Sequence, residues 1–100
     1  MSYEMVVGLN VLDDDKYQEY RIAIMPILST YGGKFVYDFK VSEVLLAETS
    51  GDINRVFTIN FPDSDRMDEF FSDSDYVRVK TRYFENSVSS TTIISSYEKT

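Results

Sequence analysis

Carboxylates, tyrosines and lysines are the side chains in this sequence that could carry acid–base chemistry. The 100 residues contain no histidine and no cysteine, alongside 17 acidic residues, 10 basic residues and eight tyrosines. Without imidazole or thiol, no Ser-His-Asp triad, thiolate nucleophile, histidine-ligated haem or cysteine-rich zinc site can form. Proton transfer would therefore need a carboxylate, a tyrosine, a lysine or water.

Four residues are the candidate ligand contacts. Tyr37, Thr58 and Asn60 offer hydroxyl and amide groups that could line one surface, and Glu4 could lie at one end of it. A carboxylate buried there would have a raised pKa and could act as a base. We predict these four residues as ligand-binding and assign no catalytic residue.

Runs of aspartate at 13–15 and within 63–75 could suggest a calcium site. The EF-hand pattern needs a glutamate at its twelfth position and a glycine in the loop. Counted from Asp63, the twelfth position is Ser74, and the loop glycine is absent. Short carboxylates are typical of helix N-caps and first turns, where they meet the positive end of the helix dipole. We therefore predict capping roles, with no metal and no cofactor.

Arg78, Lys80 and Arg82 form the basic cluster of the sequence. On a helix, Arg78 and Arg82 would share a face and could receive an anion. Acidic residues lie close by in the sequence on both sides, so surface ion pairs are the favoured interpretation.

Two predicted strands would position most of the candidate residues. Residues 3–11 contain Glu4, and residues 55–61 contain Thr58 and Asn60. Both segments are rich in β-forming residues, and large apolar side chains alternate along each of them. The sequence therefore predicts a strand in each place.

Helices are predicted after both strands. Residues 14–31 carry apolar side chains at spacings of three and four, which indicates an amphipathic helix. Pro26 predicts a kink within it, because proline removes an amide donor. The following Gly32–Gly33 can supply a left-handed C-cap. The acidic segment 62–65 opens the second helix.

Three further segments complete the prediction. Residues 34–47 are extended, with Phe35, Tyr37 and Phe39 alternating and a bulge or bend expected near residues 40–42. Residues 74–84 fit helical spacing and strand alternation equally well, so the pattern leaves both open. A last strand is predicted over 91–97, after a polar loop at 85–90.

An internal similarity appears when the sequence is shifted by 50 residues, which places 9–20 on 59–70. Each copy runs from a strand through an acidic cap into a helix, although any two such junctions would look alike. The chain then has the order β-α-β-β-α-β, the ferredoxin-like arrangement of the α+β class, in which two helices cover one face of a four-stranded antiparallel sheet. Asn10 and Asn60 correspond in the two copies but would lie at opposite ends of the sheet, which favours structural roles.

The alignment of the two copies also assigns the faces of the sheet. The larger apolar residues, which are predicted to face the helices, are Val7, Leu9, Phe57 and Ile59. The opposite face mixes valines with small polar residues: Glu4, Val6, Gly8, Asn10, Val56, Thr58 and Asn60. Such a face is poorly suited to water, and a second subunit would cover it. We therefore predict a sheet-to-sheet homodimer.

Several segments resemble the bacterial domain of unknown function 1330 family. They are Asp15–Arg21, Pro26, Tyr31–Phe35, Arg55, Ile59–Pro62 and Phe70–Tyr76. The resemblance implies the dimeric α+β barrel superfamily, in which two ferredoxin-like subunits pack sheet to sheet, and it implies a helix over 74–84. Family members often carry an arginine and two glycines where this chain has residues 37–40, so no site is carried over there. The family offers no activity to carry over.

The whole composition limits the function classes. Residues 1–100 are short enough to form a single domain. A net charge of −7 disfavours nucleic acid and anionic membranes as partners. No apolar run approaches the roughly 20 residues that span a bilayer, and the start lacks the pattern of a signal peptide. A cytoplasmic location is therefore expected.

The predicted function is that of an uncharacterised homodimer that binds a small molecule between its two sheets. The alternative is a cofactor-independent enzyme, oxygenase-like or isomerase-like, that acts on a small hydrophobic substrate. Relatives that need histidine to handle haem are excluded, because the chain has none. A purely structural or interaction domain is a third hypothesis, and the sequence leaves open whether the protein is an enzyme.

Overall fold

A four-stranded antiparallel sheet, covered on one face by helices, forms the body of the computed structural model, which describes residues 1–100. Along the chain the elements are β1 Ser2–Val11, α1 Asp14–Thr30, β2 Lys34–Lys40, β3 Arg55–Phe61, α2 Ser64–Ser72, α3 Ser74–Val79, a π-helical segment Lys80–Phe84 and β4 Val88–Lys99. The strands lie in the order β2-β3-β1-β4. The predicted β-α-β-β-α-β arrangement is confirmed, with its second helical region divided into three parts.

Both strand-to-helix junctions are capped in the same way. The Asp13 side chain accepts a hydrogen bond from the backbone N–H of Lys16 at 3.0 Å, and Asp63 accepts one from the N–H of Arg66 at 2.8 Å. These N-caps satisfy amides that the first helical turn leaves without partners. The predicted capping role of the aspartate runs is confirmed at these two positions, which are 50 residues apart.

The end of α1 is closed by the predicted glycine pair. Gly32 has φ of 71°, in the left-handed region, and the N–H of Gly33 donates to the carbonyl of Leu28 at 2.9 Å. This is the hydrogen-bond pattern of a Schellman C-cap. A β-carbon on Gly33 would lie 2.4 Å from Leu28 Cδ1, so a larger residue there requires the neighbouring side chains to shift. Pro26 lies inside α1.

The hydrophobic core lies between the sheet and the helices. The predicted inward residues Val7, Leu9, Phe57 and Ile59 are all buried. The other core side chains are Val11, Tyr17, Tyr20, Ile24, Leu28, Phe61, Phe70 and Tyr76. The core includes the predicted apolar face of α1 and Phe70 of α2, and its burial is the main favourable contribution to folding. None of the helices is both long and apolar enough to cross a membrane.

The prediction of extended structure over 34–47 was too long, and the alternation assigned to β2 was wrong. The strand ends at Lys40, whose partner Arg55 is the first residue of β3, and one further backbone hydrogen bond joins the N–H of Val41 to the carbonyl of Asn54 at 2.8 Å. The irregularity lies at Val36, between Phe35 and Tyr37, rather than near 40–42. A bulge adds one residue to the strand, so side chains two apart in sequence fall on opposite faces.

The structure decides between helix and strand for residues 74–84, which the sequence pattern left open. Residues 74–84 are helical, as the family resemblance implied. The Asp73 side chain caps α3 by accepting from the N–H groups of Asp75 and Tyr76. β4 extends beyond the predicted 91–97, because β1 pairs with it along its full length.

Candidate functional site

The sheet face without helices, which we call the open face, carries the four predicted ligand contacts. Tyr37 lies opposite Thr58, and Glu4 lies opposite Asn60. Because paired residues of antiparallel strands point to the same side, all four belong to this face. Tyr37 and Phe39 stack with ring centres 5.7 Å apart and remain 58% and 55% exposed. Large aromatic surfaces therefore stand uncovered beside the polar groups.

Glu4 is the buried carboxylate of the open face. Its Oε2 accepts a hydrogen bond from the Tyr97 hydroxyl at 2.5 Å, and its Oε1 accepts from Asn60 Nδ2 at 3.1 Å. Lys99 Nζ lies 3.2 Å from Oε1 and forms an ion pair with it. Glu4 is only 3% exposed, so both oxygens are enclosed by donors.

The expectation of a raised pKa at Glu4 is wrong. Burial opposes ionisation, but the hydrogen bonds from Tyr97 and Asn60 and the charge of Lys99 outweigh it, so the pKa of this carboxyl lies below its ordinary value. In return, the Glu4 carboxylate raises the pKa of the Tyr97 hydroxyl. Glu4 is thus an ionised acceptor at neutral pH and a weak base.

The other predicted contacts also use their polar atoms within the sheet. Thr58 Oγ1 accepts from the backbone N–H of Tyr37 at 2.9 Å. Asn60 Nδ2 reaches Ser2 Oγ at 2.9 Å as well as Glu4. Glu4 and Asn60 are thus in direct contact, whereas Tyr37 and Thr58 form a second pair beside them. Their role as ligand contacts stays a prediction.

A groove crosses the opposite end of the open face. The connection 41–54 passes over the sheet and encloses about 550 Å³ together with β3 and β4 side chains such as Val56 and Ile94. A β-carbon on Gly8 would lie 3.0 Å from Ile53 Cδ1, so the glycine lets this connection approach the sheet. Leu45 and Leu46 in the same connection are 87% and 93% exposed.

A second space, which sequence reasoning missed, lies between the sheet and the helices. We call it the helix-side cleft; it has a volume of about 330 Å³, and 14 of its 16 lining residues are hydrophobic. The two others are Lys80 and Thr91. Thr91 and Ile93 on β4 are exposed, so the cleft is accessible along this edge of the sheet. The space is therefore an open cleft beside the core rather than an enclosed void.

Two buried tyrosine hydroxyls belong to residues that line the helix-side cleft, one from α1 and one from α3. Tyr20 and Tyr76 are 6% and 5% exposed, and their hydroxyl oxygens lie 3.1 Å apart. Burial raises the pKa of both groups. Each phenol therefore stays protonated and can act as a hydrogen-bond donor, not as a base.

A cluster of charged residues lies at the edge formed by β2. Arg55 forms two hydrogen bonds to Asp38, of 2.8 and 2.7 Å, and Arg21 lies 3.3 Å from the same carboxylate. The hydrogen bonds from Arg55 hold the pKa of Asp38 below its ordinary value. The Arg21 guanidinium also lies 3.8 Å from the centre of the Phe35 ring. These contacts give the cluster a structural role, because they link α1, β2 and β3.

Of the remaining sequence candidates, Arg78 and Asn10 have structural partners, whereas Lys80 and Arg82 form no ion pair. Arg78 forms the predicted surface ion pair, with Asp75 at 2.9 Å. Asn10 donates to Ser89 at the other end of the sheet from Asn60, as expected for neighbouring antiparallel strands. These groups contribute to local structure and do not form a common site.

Sequence reasoning missed Tyr97 and Lys99, which hold Glu4. Their spacing of two along a strand shows that they share a face, and this is the signal that could have found them. Which residues of β1 they oppose depends on the register, which shifts at two places along the β1–β4 pair. No pattern in the sequence marked the tyrosine pair, because its members are 56 residues apart.

Comparison with known proteins places this geometry in a family and a fold. The model of the family described as "Domain of unknown function (DUF1330)" matches residues 3–97. No curated protein matches the chain.

Solved structures with the same fold come from several bacteria. A protein of unknown function from Rhodopseudomonas palustris is 16% identical, with a TM-score of 0.78 over 99% of this chain and 82% of its own. A dabb family protein with a ferredoxin-like fold from Mesorhizobium loti is 14% identical, with a TM-score of 0.70 over 99% and 97%. An uncharacterized NIPSNAP domain protein from Burkholderia xenovorans is 13% identical, with a TM-score of 0.65 over 100% and 95%. At these identities the likeness establishes the fold.

Proposed function

Because the chain belongs to the DUF1330 family, whose description names no activity, we propose a function from the geometry: a sheet-to-sheet homodimer that binds a small, largely apolar molecule. The observation that carries the binding function is the helix-side cleft, an open space of about 330 Å³ between the sheet and the helices. Ligand sites in proteins are concave, mostly apolar and equipped with a few polar groups, and this cleft has all three properties.

The open face supports the dimer. It presents the stacked rings of Tyr37 and Phe39, and the exposed connection 41–54 adds Leu45 and Leu46 beside it. Exposed apolar patches of this kind are typical of protein interfaces. The same face of a second copy is the proposed cover, since symmetric dimers are the commonest oligomers.

Light scattering after size exclusion tests the dimer. The wild-type chain is expected at about twice 11.6 kDa, and Phe39→Glu is expected to elute as a monomer, because it places a charge in the proposed interface. Ile22→Glu, on the exposed side of α1, is the matched control and should remain dimeric. A monomeric wild type at micromolar concentration overturns the assembly.

Adjacent threonines on β4 allow the binding site to be tested. Thr91 lines the helix-side cleft, whereas Thr92 lines the groove on the open face. Titration of 1-octanol, followed by NMR, is expected to show binding that Thr91→Trp weakens at least about tenfold and Thr92→Trp leaves in place. Binding that is lost only in Thr92→Trp would instead support a site between the sheets, on the face that carries the predicted contacts Glu4, Tyr37, Thr58 and Asn60. Absence of binding to the wild type overturns the function.

A cofactor-independent enzyme is the second candidate, and the tyrosine pair is the observation that favours it. Within the pair one protonated phenol donates to the other, 3.1 Å away, which leaves one O–H that could donate to a carbonyl or enolate oxygen of a substrate in the cleft. An isomerase-like or oxygenase-like reaction on a small hydrophobic substrate would use that O–H in this way. If so, Tyr76→Phe should retain binding of that substrate and lose turnover by about 100-fold, the scale of one lost oxyanion donor. Equal turnover in Tyr76→Phe and wild type would overturn the catalytic role.

A further inference from the structure

Lys80 is the one charged side chain that lines the helix-side cleft. It is half-buried, and no carboxylate lies within ion-pair distance of it, whereas Arg78 in the preceding turn is paired with Asp75. Its Nζ lies 5.9 Å from the centre of the Phe84 ring, which also lines the cleft. In a chain with a net charge of −7, this leaves one uncompensated cation beside an apolar space.

The backbone at this point departs from the α-helix. Residues Lys80–Phe84 form a π-helical turn, closed by a 3.1 Å hydrogen bond from the N–H of Glu85 to the carbonyl of Lys80. Lys80 and Phe84, at the two ends of this turn, both line the same space. Single π-helical turns are rare and occur frequently at functional sites. This is a second feature, independent of charge, at the same part of the cleft.

We propose that the ligand of the cleft is an amphiphilic monocarboxylate, with its carboxylate on Lys80 and its apolar body against side chains such as Tyr20 and Ile93. The proposal rests on the binding function proposed above and names its ligand class. A single lysine balances a single negative charge, whereas a phosphate dianion would require further cations that the cleft does not contain. The apolar lining matches a hydrocarbon or aromatic body, because it offers few groups that need polar partners.

Three probes with one chain length separate the head group from the body: octanoate, 1-octanol and octylamine. Calorimetric or NMR titration of the wild type is expected to rank octanoate first, ahead of the alcohol by about two- to fivefold, the range of a partly exposed ion pair. Lys80→Gln should remove that advantage and leave the affinity for 1-octanol unchanged. Lys80→Arg keeps the positive charge and should retain the preference for octanoate over 1-octanol. Arg82→Gln, an equal change of charge two residues away on an exposed side chain outside the lining, is the matched control.

Two further titrations vary the ionic strength and the shape of the apolar part of the probe. Raising ionic strength should weaken octanoate binding and spare 1-octanol, because screening acts on the charge pair alone. 4-Phenylbutyrate in place of octanoate distinguishes an aromatic acid from a fatty acid, and tighter binding of either one supports the proposal.

The possible outcomes distinguish a failure of the carboxylate proposal from a failure of the binding function proposed for the cleft. If octanoate and 1-octanol bind equally, or if Lys80→Gln and Arg82→Gln behave alike, the carboxylate proposal is overturned while the cleft keeps its binding function. If octylamine binds tightest, the proposal is likewise overturned. If no probe binds the wild type, the function proposed for the cleft fails first, and this inference fails with it.

Discussion

Glu4 shows how a charged residue can be held in a buried position on a mixed sheet face. Its two oxygens accept from Tyr97, Asn60 and Lys99, three donors on the neighbouring strands. A buried charge is tolerated only when its hydrogen-bonding groups are paired in this way. The set therefore fixes the ends of β1, β3 and β4 relative to one another as well as presenting polar groups on the open face.

Replacing the Glu4 carboxylate tests this contribution at the residue scale. Glu4→Gln should lower the free energy of unfolding at pH 7 by about 1–2 kcal/mol, because hydrogen bonds to an ionised acceptor and the Lys99 pair are lost. Urea denaturation at one fixed protein concentration measures the change. Glu98→Gln removes the same charge from an exposed neighbour and should alter stability by less than about 0.5 kcal/mol.

The lowered pKa of Glu4 also predicts the sign of its pH dependence. A carboxyl whose pKa is lower in the folded state stabilises the fold above its ordinary pKa near 4.5, and this contribution is lost as pH falls through the folded-state value. The difference in stability between wild type and Glu4→Gln should therefore shrink when the urea measurement is repeated near pH 3. A difference that stays constant, or grows, between pH 7 and pH 3 would contradict the ionised state of Glu4.

At the scale of elements, the two helix starts are built alike. Asp13 and Asp63 each cap a helix through the N–H three residues later. Asp13→Ala and Asp63→Ala should each cost about 1 kcal/mol of stability, while Asp13→Asn should retain most of it, because asparagine also caps well. Thermal or urea unfolding measures both. Asp68→Ala, inside α2 and away from its cap, is the control; equal losses at Asp68 and Asp63 would contradict the capping role.

The turn after α1 makes a second prediction at this scale. Gly33→Ala places a methyl group against Leu28 Cδ1 and Phe61 Cε1, at distances shorter than van der Waals contact. The variant should lose about 1–3 kcal/mol of stability, the usual effect of overpacking. Gly51→Ala, where the nearest atoms belong to the side chain of Ser90, should change stability little. Similar melting temperatures for the two variants would show that the turn can relax.

The helix caps and the apolar faces of the elements could be predicted from the sequence, whereas the bulge in β2 could not. Helix caps and apolar faces were predictable, because they depend on residues within one or two turns of each other. The bulge at Val36 was not: alternation of Phe35, Tyr37 and Phe39 reads as a regular strand. The extra residue is fixed by the pairing of β2 with β3, which is a relation between distant segments.

At the scale of the whole molecule, the exposed connection 41–54 leads to a prediction of how the melting temperature depends on protein concentration. In a dimer, the melting temperature rises with protein concentration, because association stabilises the folded state by mass action. The double variant Leu45→Ser/Leu46→Ser should reduce this dependence, since both side chains are almost fully exposed beside the open face. Leu12→Ser, at another exposed leucine, should leave it intact. Scanning calorimetry over a hundredfold concentration range provides the measurement, and an unchanged dependence in the double variant would exclude these leucines from the interface.

The sequence by itself determined the order of the elements, the inward faces of β1 and β3, the two helix caps and the family. These features follow from local hydrogen bonding and from the periodicity of apolar side chains, which a single segment contains. Only the tertiary structure decided that Glu4 is held by β4, that Tyr20 meets Tyr76, and that Lys80 lines a cleft between the sheet and the helices. Each of those contacts depends on the register or packing of segments far apart in the chain, and the energy that fixes them appears only once the core has formed.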